Sequence, residues 1–204
     1  GRVTNTNCVR TDNVHNLEGN DSSDVSYVRF INDGTAALSN IRGTLYDANG
    51  EPIGESDALF FDELGAREAV FRSRDSISNI VGDTWTGVAS LVLNDTYENL
   101  KLMNLNFVND ETFFNFSCYQ GANDDDGALQ LGRAYHMTAS TSPNLSEVHI
   151  INTSDSAQSF TGTLFHKSGS QLGDSDVALH ETLIESQGRL ILSSSDLEQR
   201  FNEL

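Results

Sequence analysis

An all-β fold is predicted by two features of the chain. Apolar residues fall in short runs that alternate with polar ones, and a block of sequence beginning at Ser26 recurs from Ser146. Alternation with a period of two marks a half-buried strand, because successive side chains leave a strand on opposite faces. The recurrence predicts two copies of one module, the second cut short.

The repeat extends over most of the shorter copy. Ser26-Tyr27-Val28-Arg29-Phe30-Ile31-Asn32 aligns with Ser146-Glu147-Val148-His149-Ile150-Ile151-Asn152. After a one-residue deletion, Gly43-Thr44-Leu45-Tyr46 aligns with Gly162-Thr163-Leu164-Phe165. Gly50, Gly54 and Ser56-Asp57 recur as Gly169, Gly173 and Ser175-Asp176. Val70-Phe71, Ser73 and Ile77 recur as Leu190-Ile191, Ser193 and Leu197. Seven of the fifteen positions from 43 to 57 are identical, and the matches concentrate on glycines and apolar positions, which set turns and cores. Chance does not account for that. Gly1-Arg2 and Gly132-Arg133 open the copies. The acidic, glycine-flanked stretch Gly121-Ala122-Asn123-Asp124-Asp125-Asp126-Gly127 reads as a linker. Module one is therefore placed at residues 1–120, the linker at 121–131 and module two at 132–204.

The strands follow in order. Over residues 25–31, Val28 and Phe30 point one way and Tyr27, Arg29 and Ile31 the other. Ile41, Gly43 and Leu45 alternate with Arg42, Thr44 and Tyr46, and Asp47-Ala48-Asn49-Gly50 supplies a turn in which Asn-Gly suits positive φ. The chain returns through Ile53 toward residues 57–61, and residues 69–73 form another short strand. Ser73-Arg74-Asp75-Ser76 is a helix cap, followed by Ile77 and Ile80 at helical spacing; Ser194-Ser195-Asp196 before Leu197 repeats it. Trp85, Gly87, Ala89, Leu91 and Leu93 are placed on one face of the longest strand. Leu100 and Leu102 then share a face while Met103, Leu105 and Phe107 share the opposite one, so this strand is either buried on both sides or shifted by a bulge. Phe114, Phe116 and Cys118 are placed inward on the last strand. The expected architecture is two tandem immunoglobulin-like antiparallel β-sandwich modules, each with one short helical turn and the second incomplete. Residues 84–118, three strands by this reading, have no second copy. Half a sandwich leaves an open edge and a bare apolar face, which predicts a chain that is truncated, only partly represented, or completed by a neighbour.

Composition narrows the function classes. Twelve Lys and Arg against thirty Asp and Glu give a net charge of −18, a field that repels phosphate backbones and anionic lipid, so neither a nucleic-acid partner nor membrane insertion is expected. No apolar stretch approaches the roughly 20 residues of a membrane helix. No leader peptide is visible, which for an exported protein implies a mature form. Cys8 and Cys118 bracket module one; a disulfide between them would close a long loop, worth about 4–5 kcal/mol in the chain-entropy view, and would imply an oxidising compartment. Two unpaired thiols are the alternative.

Candidate chemistry is sparse. No nucleophile elbow, phosphate loop, dinucleotide fingerprint or zinc-protease helix motif is present, so no catalytic residues and no enzyme are expected. His149 and His166 are placed on neighbouring strands facing outward, where a transition metal would need them directly opposed. Asp124, Asp125 and Asp126 are weak calcium candidates, lacking the alternating ligands and distal glutamate of a helix–loop–helix site. Asp33, Asp47 and Asp57 stand behind them, and Asp57, recurring as Asp176, reads as a backbone-capping turn residue. No other cofactor is expected. Tyr27, Tyr46, Tyr97, Tyr119 and Tyr135 could serve a sugar platform, although Tyr46 becomes Phe165, which points to packing. Trp85 reads as core. Asn20, Asn94, Asn115, Asn144 and Asn152 open Asn-x-Ser/Thr acceptor sites.

Val28-Arg29-Phe30-Ile31-Asn32, Gly43-Thr44-Leu45-Tyr46-Asp47 with Asn49-Gly50, Trp85-Thr86-Gly87, Leu102-Met103-Asn104-Leu105 and Phe114-Asn115-Phe116-Ser117 together resemble tandem β-sandwich repeats of secreted and cell-surface proteins of bacteria, of adhesin or stalk type. The resemblance covers nearly all of module one and the first two-thirds of module two. It implies a fold and an extracellular, cell-surface location, and carries no catalytic residues. The expectation is a structural or adhesive module whose partners are other copies of itself or neighbouring repeat modules, a subunit of a filament or stalk assembled by strand exchange. The alternative is a glycan-binding module of a secreted protein.

Overall fold

The computed structural model describes residues 13–108, 112–114, 139–142, 147–166 and 168–201. The chain divides into two compact units, Gly1–Asp125 and Asp126–Leu204. The described residues are mostly strand, in antiparallel sheets.

The first unit contains β1 (Asn13–Glu18), β2 (Val25–Asn32), β3 (Leu38–Tyr46), β4 (Pro52–Leu64), β5 (Ala69–Ser73), helix α1 (Arg74–Val81), β6 (Val88–Leu93), β7 (Leu100–Val108) and β8 (Thr112–Phe114). They form two four-stranded sheets, ordered β1-β6-β3-β4 and β5-β2-β7-β8. Val28, Phe30 and Leu102 of one sheet share a core with Ile41, Leu45 and Leu91 of the other, and Ile77 and Val81 of α1 join it. The two sheets thus bury their inner faces against each other, as a sandwich does. Phe30 anchors that core, its ring centroid 5.0 Å from Phe61 and 5.7 Å from Phe60.

The phase of β7 is settled by its pairing with β2, which runs unbroken from Val25 opposite Phe107 to Asn32 opposite Leu100. There is no bulge. Leu100, Leu102, Asn104 and Asn106 face inward, so Met103, Leu105 and Phe107 point to the outer face, where Leu105 is only 6% exposed. The inner face turns polar at one end, where hydrogen bonds tie it to β1. Ser26 Oγ donates to Asn106 Oδ1 (2.6 Å) and accepts from the Glu18 amide (2.7 Å). Asn104 Nδ2 donates to the carbonyls of His15 (2.9 Å) and Asn16 (3.0 Å), and Asn106 Nδ2 to that of Asn16 (3.0 Å). Those carbonyls are freed by an irregularity in β1, where the β1–β6 register shifts between Val14 and Leu17 and Asn16 takes φ 66°. Two sequence expectations need correcting. The longest strand is β4, not the one after α1, and Trp85 precedes β6 rather than lying in it. Trp85 is nonetheless core, 4% exposed, with its indole N–H given to the carbonyl of Leu17 at 3.0 Å.

The second unit contains β9 (Glu147–Ile151), β10 (Thr161–Phe165), β11 (Gln171–Ala178), β12 (Arg189–Ser193) and helix α2 (Ser194–Arg200). Among the described residues β9 pairs only with β12 and β10 only with β11. These pairs repeat β2–β5 and β3–β4. The bridge Gln158–Ile184 repeats the pairing of Leu38 with Leu64. Leu179, Leu192, Leu197 and Phe201 are buried, with Val148, Ile150, Phe160 and Leu164 half-buried beside them. Their counterparts Val28, Phe30, Ile41 and Leu45 are fully buried in the first unit.

The repeat extends to individual hydrogen bonds. Asn32 Nδ2 donates to the carbonyls of Ala36 (2.8 Å), Leu64 (3.1 Å) and Gly65 (2.9 Å); Asn152 Nδ2 donates to those of Ser156 (2.8 Å), Ile184 (2.8 Å) and Glu185 (3.0 Å). Asp57 and Asp176 both take positive φ, 57° and 53°, and both give their amide to a threonine hydroxyl at 3.1 Å, Thr44 and Thr163. Ser73 and Ser193 cap their helices with the same backbone angles, and Ser193 completes a capping box with Asp196.

Candidate functional site

The outer face of the β5-β2-β7 sheet carries a shallow groove of about 500 Å³ lined by Tyr27, Arg29, Phe71, Met103, Leu105 and Phe107. Register builds it. Tyr27 lies opposite Leu105, Arg29 opposite Met103, and Arg29 opposite Phe71 on the other side. The Tyr27 and Phe107 rings meet edge to face at 5.4 Å. The Arg29 guanidinium lies 5.2 Å from the Phe71 ring centre, a cation–π contact, and Phe71 is 50% exposed. Apolar side chains on the solvent face of a sheet suit contact with another surface. The groove offers one cation and several flat rings, a chemistry of contact and stacking.

Tyr27 apart, the sequence candidates fall elsewhere. Cys8, Cys118, Asp124, Asp125, Asp126, Tyr119, Tyr135, Asn115, Asn144, Phe116 and the Phe114 side chain lie outside the described residues. His149 and His166 do not oppose one another: His149 is on β9, paired with β12, and His166 follows β10, paired with β11. His149 Nε2 is 3.2 Å from Glu147, and burial pushes the imidazole below its ordinary value against the pull of Glu147. His166 closes its own turn with Ser168 (2.9 Å). Among the described residues no group of three or more His, Cys, Asp or Glu could hold a metal ion.

The second-rank acids are engaged within the fold, and the carboxylate of Asp57 meets side chains rather than capping the backbone. Asp47 Oδ1 accepts the amides of Asn49 (2.8 Å) and Glu51 (2.9 Å), closing the β3–β4 turn. Asp33 pairs with Lys101, and that ammonium holds its carboxyl below the usual range. Asp57 accepts from Asn94 Nδ2 at 2.7 Å and from Arg42 at 3.5 Å. Tyr97 is structural, its hydroxyl donating to the Asn40 carbonyl (2.7 Å) and accepting the Arg42 amide (3.2 Å). Asn152, read as a glycan acceptor, is 2% exposed with its amide nitrogen fully engaged; Asn20 is exposed. Sequence reasoning singled out Tyr27 but not Phe71, Met103, Leu105 or Phe107 as partners in a site. Its one signal was the apolar triplet on the unexpected face of β7.

No family model, no curated protein and no solved structure matches the chain.

Proposed function

We propose that the chain is a non-enzymatic structural or adhesive element of an extracellular, cell-surface assembly, its two units being tandem immunoglobulin-like sandwich modules of a filament or stalk. The observation that carries this reading is the repetition of one building plan down to the Asn32 and Asn152 hydrogen bonds, which is how modular scaffolds are made. The outward apolar groove supports it as a contact surface, and the acidic composition suits a soluble surface polymer. The test is the size and location of native material, by cell fractionation, intact mass and negative-stain imaging. Regular polymers or stalks outside the cell are expected; intracellular monomers would refute the reading.

A second reading, a glycan-binding module of a secreted protein, draws on the ring faces of Tyr27, Phe71 and Phe107. Sugars stack on such faces, but specificity also needs placed polar groups. Saturable binding on a glycan array that is lost in Tyr27→Ala would favour it.

A further inference from the structure

We propose that the edge of β10 that no described strand covers is an acceptor for a β-strand patterned like Val88–Leu93 and ending in asparagine. This rests on the reading of the chain as an assembly module. The first unit shows what the edge takes. There β6 adds antiparallel to β3, with Gly43 opposite Leu93 and Leu45 opposite Leu91. Three further groups lock it at Asn94. Its amide donates to the Arg42 carbonyl (3.1 Å), its Oδ1 accepts from Thr44 Oγ1 (3.1 Å), and its Nδ2 donates to Asp57 Oδ1 (2.7 Å). Gly43 is the room for that strand, since a Cβ there would stand 2.9 Å from the Val92 carbonyl oxygen.

The second unit keeps this equipment. Gly162, Thr163 and Asp176 stand where Gly43, Thr44 and Asp57 do, in the same backbone conformation, and Asp176 is exposed. Among the described residues no strand lies on that edge of β10, and at Gly162 the nearest neighbour is the Leu179 side chain at 3.2 Å. Thr163 and Asp176 bond to each other through the Asp176 amide, which leaves the hydroxyl proton and the carboxylate directed at no described partner. Phe160 and Leu164 are half-buried where Ile41 and Leu45 are sealed. An edge with unpaired backbone groups above a half-covered apolar face is a template for strand addition. The described chain's own strand of this pattern, β6, is held on both sides by β1 and β3, so the donor is a strand other than β6. It must place apolar residues at the positions of Leu91 and Leu93 and an asparagine at that of Asn94.

The test uses the whole chain and a synthetic peptide of residues 86–96 as donor, read by hydrogen exchange at Thr161–Phe165. Without peptide these amides should exchange faster than those of Leu38–Tyr46. The peptide should slow them saturably and leave the first unit unchanged. Asn94→Ala in the peptide, or Asp176→Gly in the chain, should weaken uptake about tenfold, the loss of one charge-assisted hydrogen bond; glycine keeps the positive φ at 176 without strain. No uptake, uptake indifferent to both changes, or β10 already protected in peptide-free protein would each overturn the proposal. If native material were polymeric all the same, the assembly reading would stand and its contact would lie elsewhere.

Discussion

A buried side-chain amide is tolerated only where its donors and acceptor are all used, and Asn32 and Asn152 use theirs in the same way. Each holds three carbonyls from two separate connections, one at Ala36 or Ser156 and two at Leu64–Gly65 or Ile184–Glu185, and each turns its oxygen to the backbone two residues on, at Gly34 and Ser154. Asn32→Ala would leave those buried carbonyls unpaired and should cost the first unit about 2–4 kcal/mol in denaturant unfolding. Asn32→Asp should not restore it, since a carboxylate cannot donate. The alignment of Asn32 with Asn152 was legible in the sequence, but the role was not: three letters that read as a glycan acceptor also fit a buried clamp, and only burial separates the two. His149 yields a pH dependence. Its folded-state affinity for a proton is held below the ordinary 6.5 first by burial, with Arg189 adding to it. A group depressed in this way contributes stability that is fully present above pH 6.5 and is lost as pH falls toward its folded value. The second unit should therefore melt lower at pH 5 than at pH 7.5, and His149→Gln should remove that slope. The carboxyls of Asp196 and Glu198 are also held low, by hydrogen bonds from Ser193 and Ser140. They act in a more acidic window, near and below their ordinary values, so a residual slope there is expected in both proteins.

Helix docking against the sheet depends on a glycine in each unit. Gly54 takes φ 66° and Gly173 φ 62°, and a Cβ at either would collide with the carbonyl oxygen that ends the helix, at Val81 and Phe201. Left-handed backbone and backbone-to-backbone contact together exclude any other residue. Gly173→Ala should lower the second unit's unfolding free energy by about 3 kcal/mol or more and displace α2. Circular dichroism melts can check the stability, and the exchange of the α2 amides can check the docking. These glycines were readable as repeat positions, because turn geometry leaves a local mark. Strand existence was readable for the same reason, and so was the cap at Ser73, whose second copy was read at Ser194-Ser195-Asp196, one residue past the true cap at Ser193. The side of β7 that faces the core was not. Its outer face is as apolar as its inner one, and its inner face ends in Asn104 and Asn106, whose amide nitrogens donate to the irregular β1. Alternation identifies the core face only when the other face is polar. The groove was hidden for the same reason, since it joins residues 27, 71 and 107 through register alone.

At the scale of the whole molecule, one plan is carried out at two degrees of closure. In the first unit two four-stranded sheets enclose a common core. In the second, the described residues bury Ile184 and a cluster of Leu179, Leu192, Leu197 and Phe201, and the residues matching Val28, Phe30 and Leu45 stay half-covered. Apolar burial is the main favourable term in folding and the stability left over is small, so units with such different cores should not unfold together. Calorimetry should show two transitions, the lower belonging to the second unit. Phe201→Ala, deleting a ring that is 2% exposed, should lower the first transition and leave the second in place. Phe30→Ala should do the converse. The net charge of −18 acts on both. Like-charge repulsion favours expansion and is screened within about 10 Å at 0.1 M salt, so raising sodium chloride from 10 to about 300 mM should move both transitions upward. A single transition lowered equally by either substitution would mean that the units fold as one, and would require the second unit's open strands to be covered in the native protein.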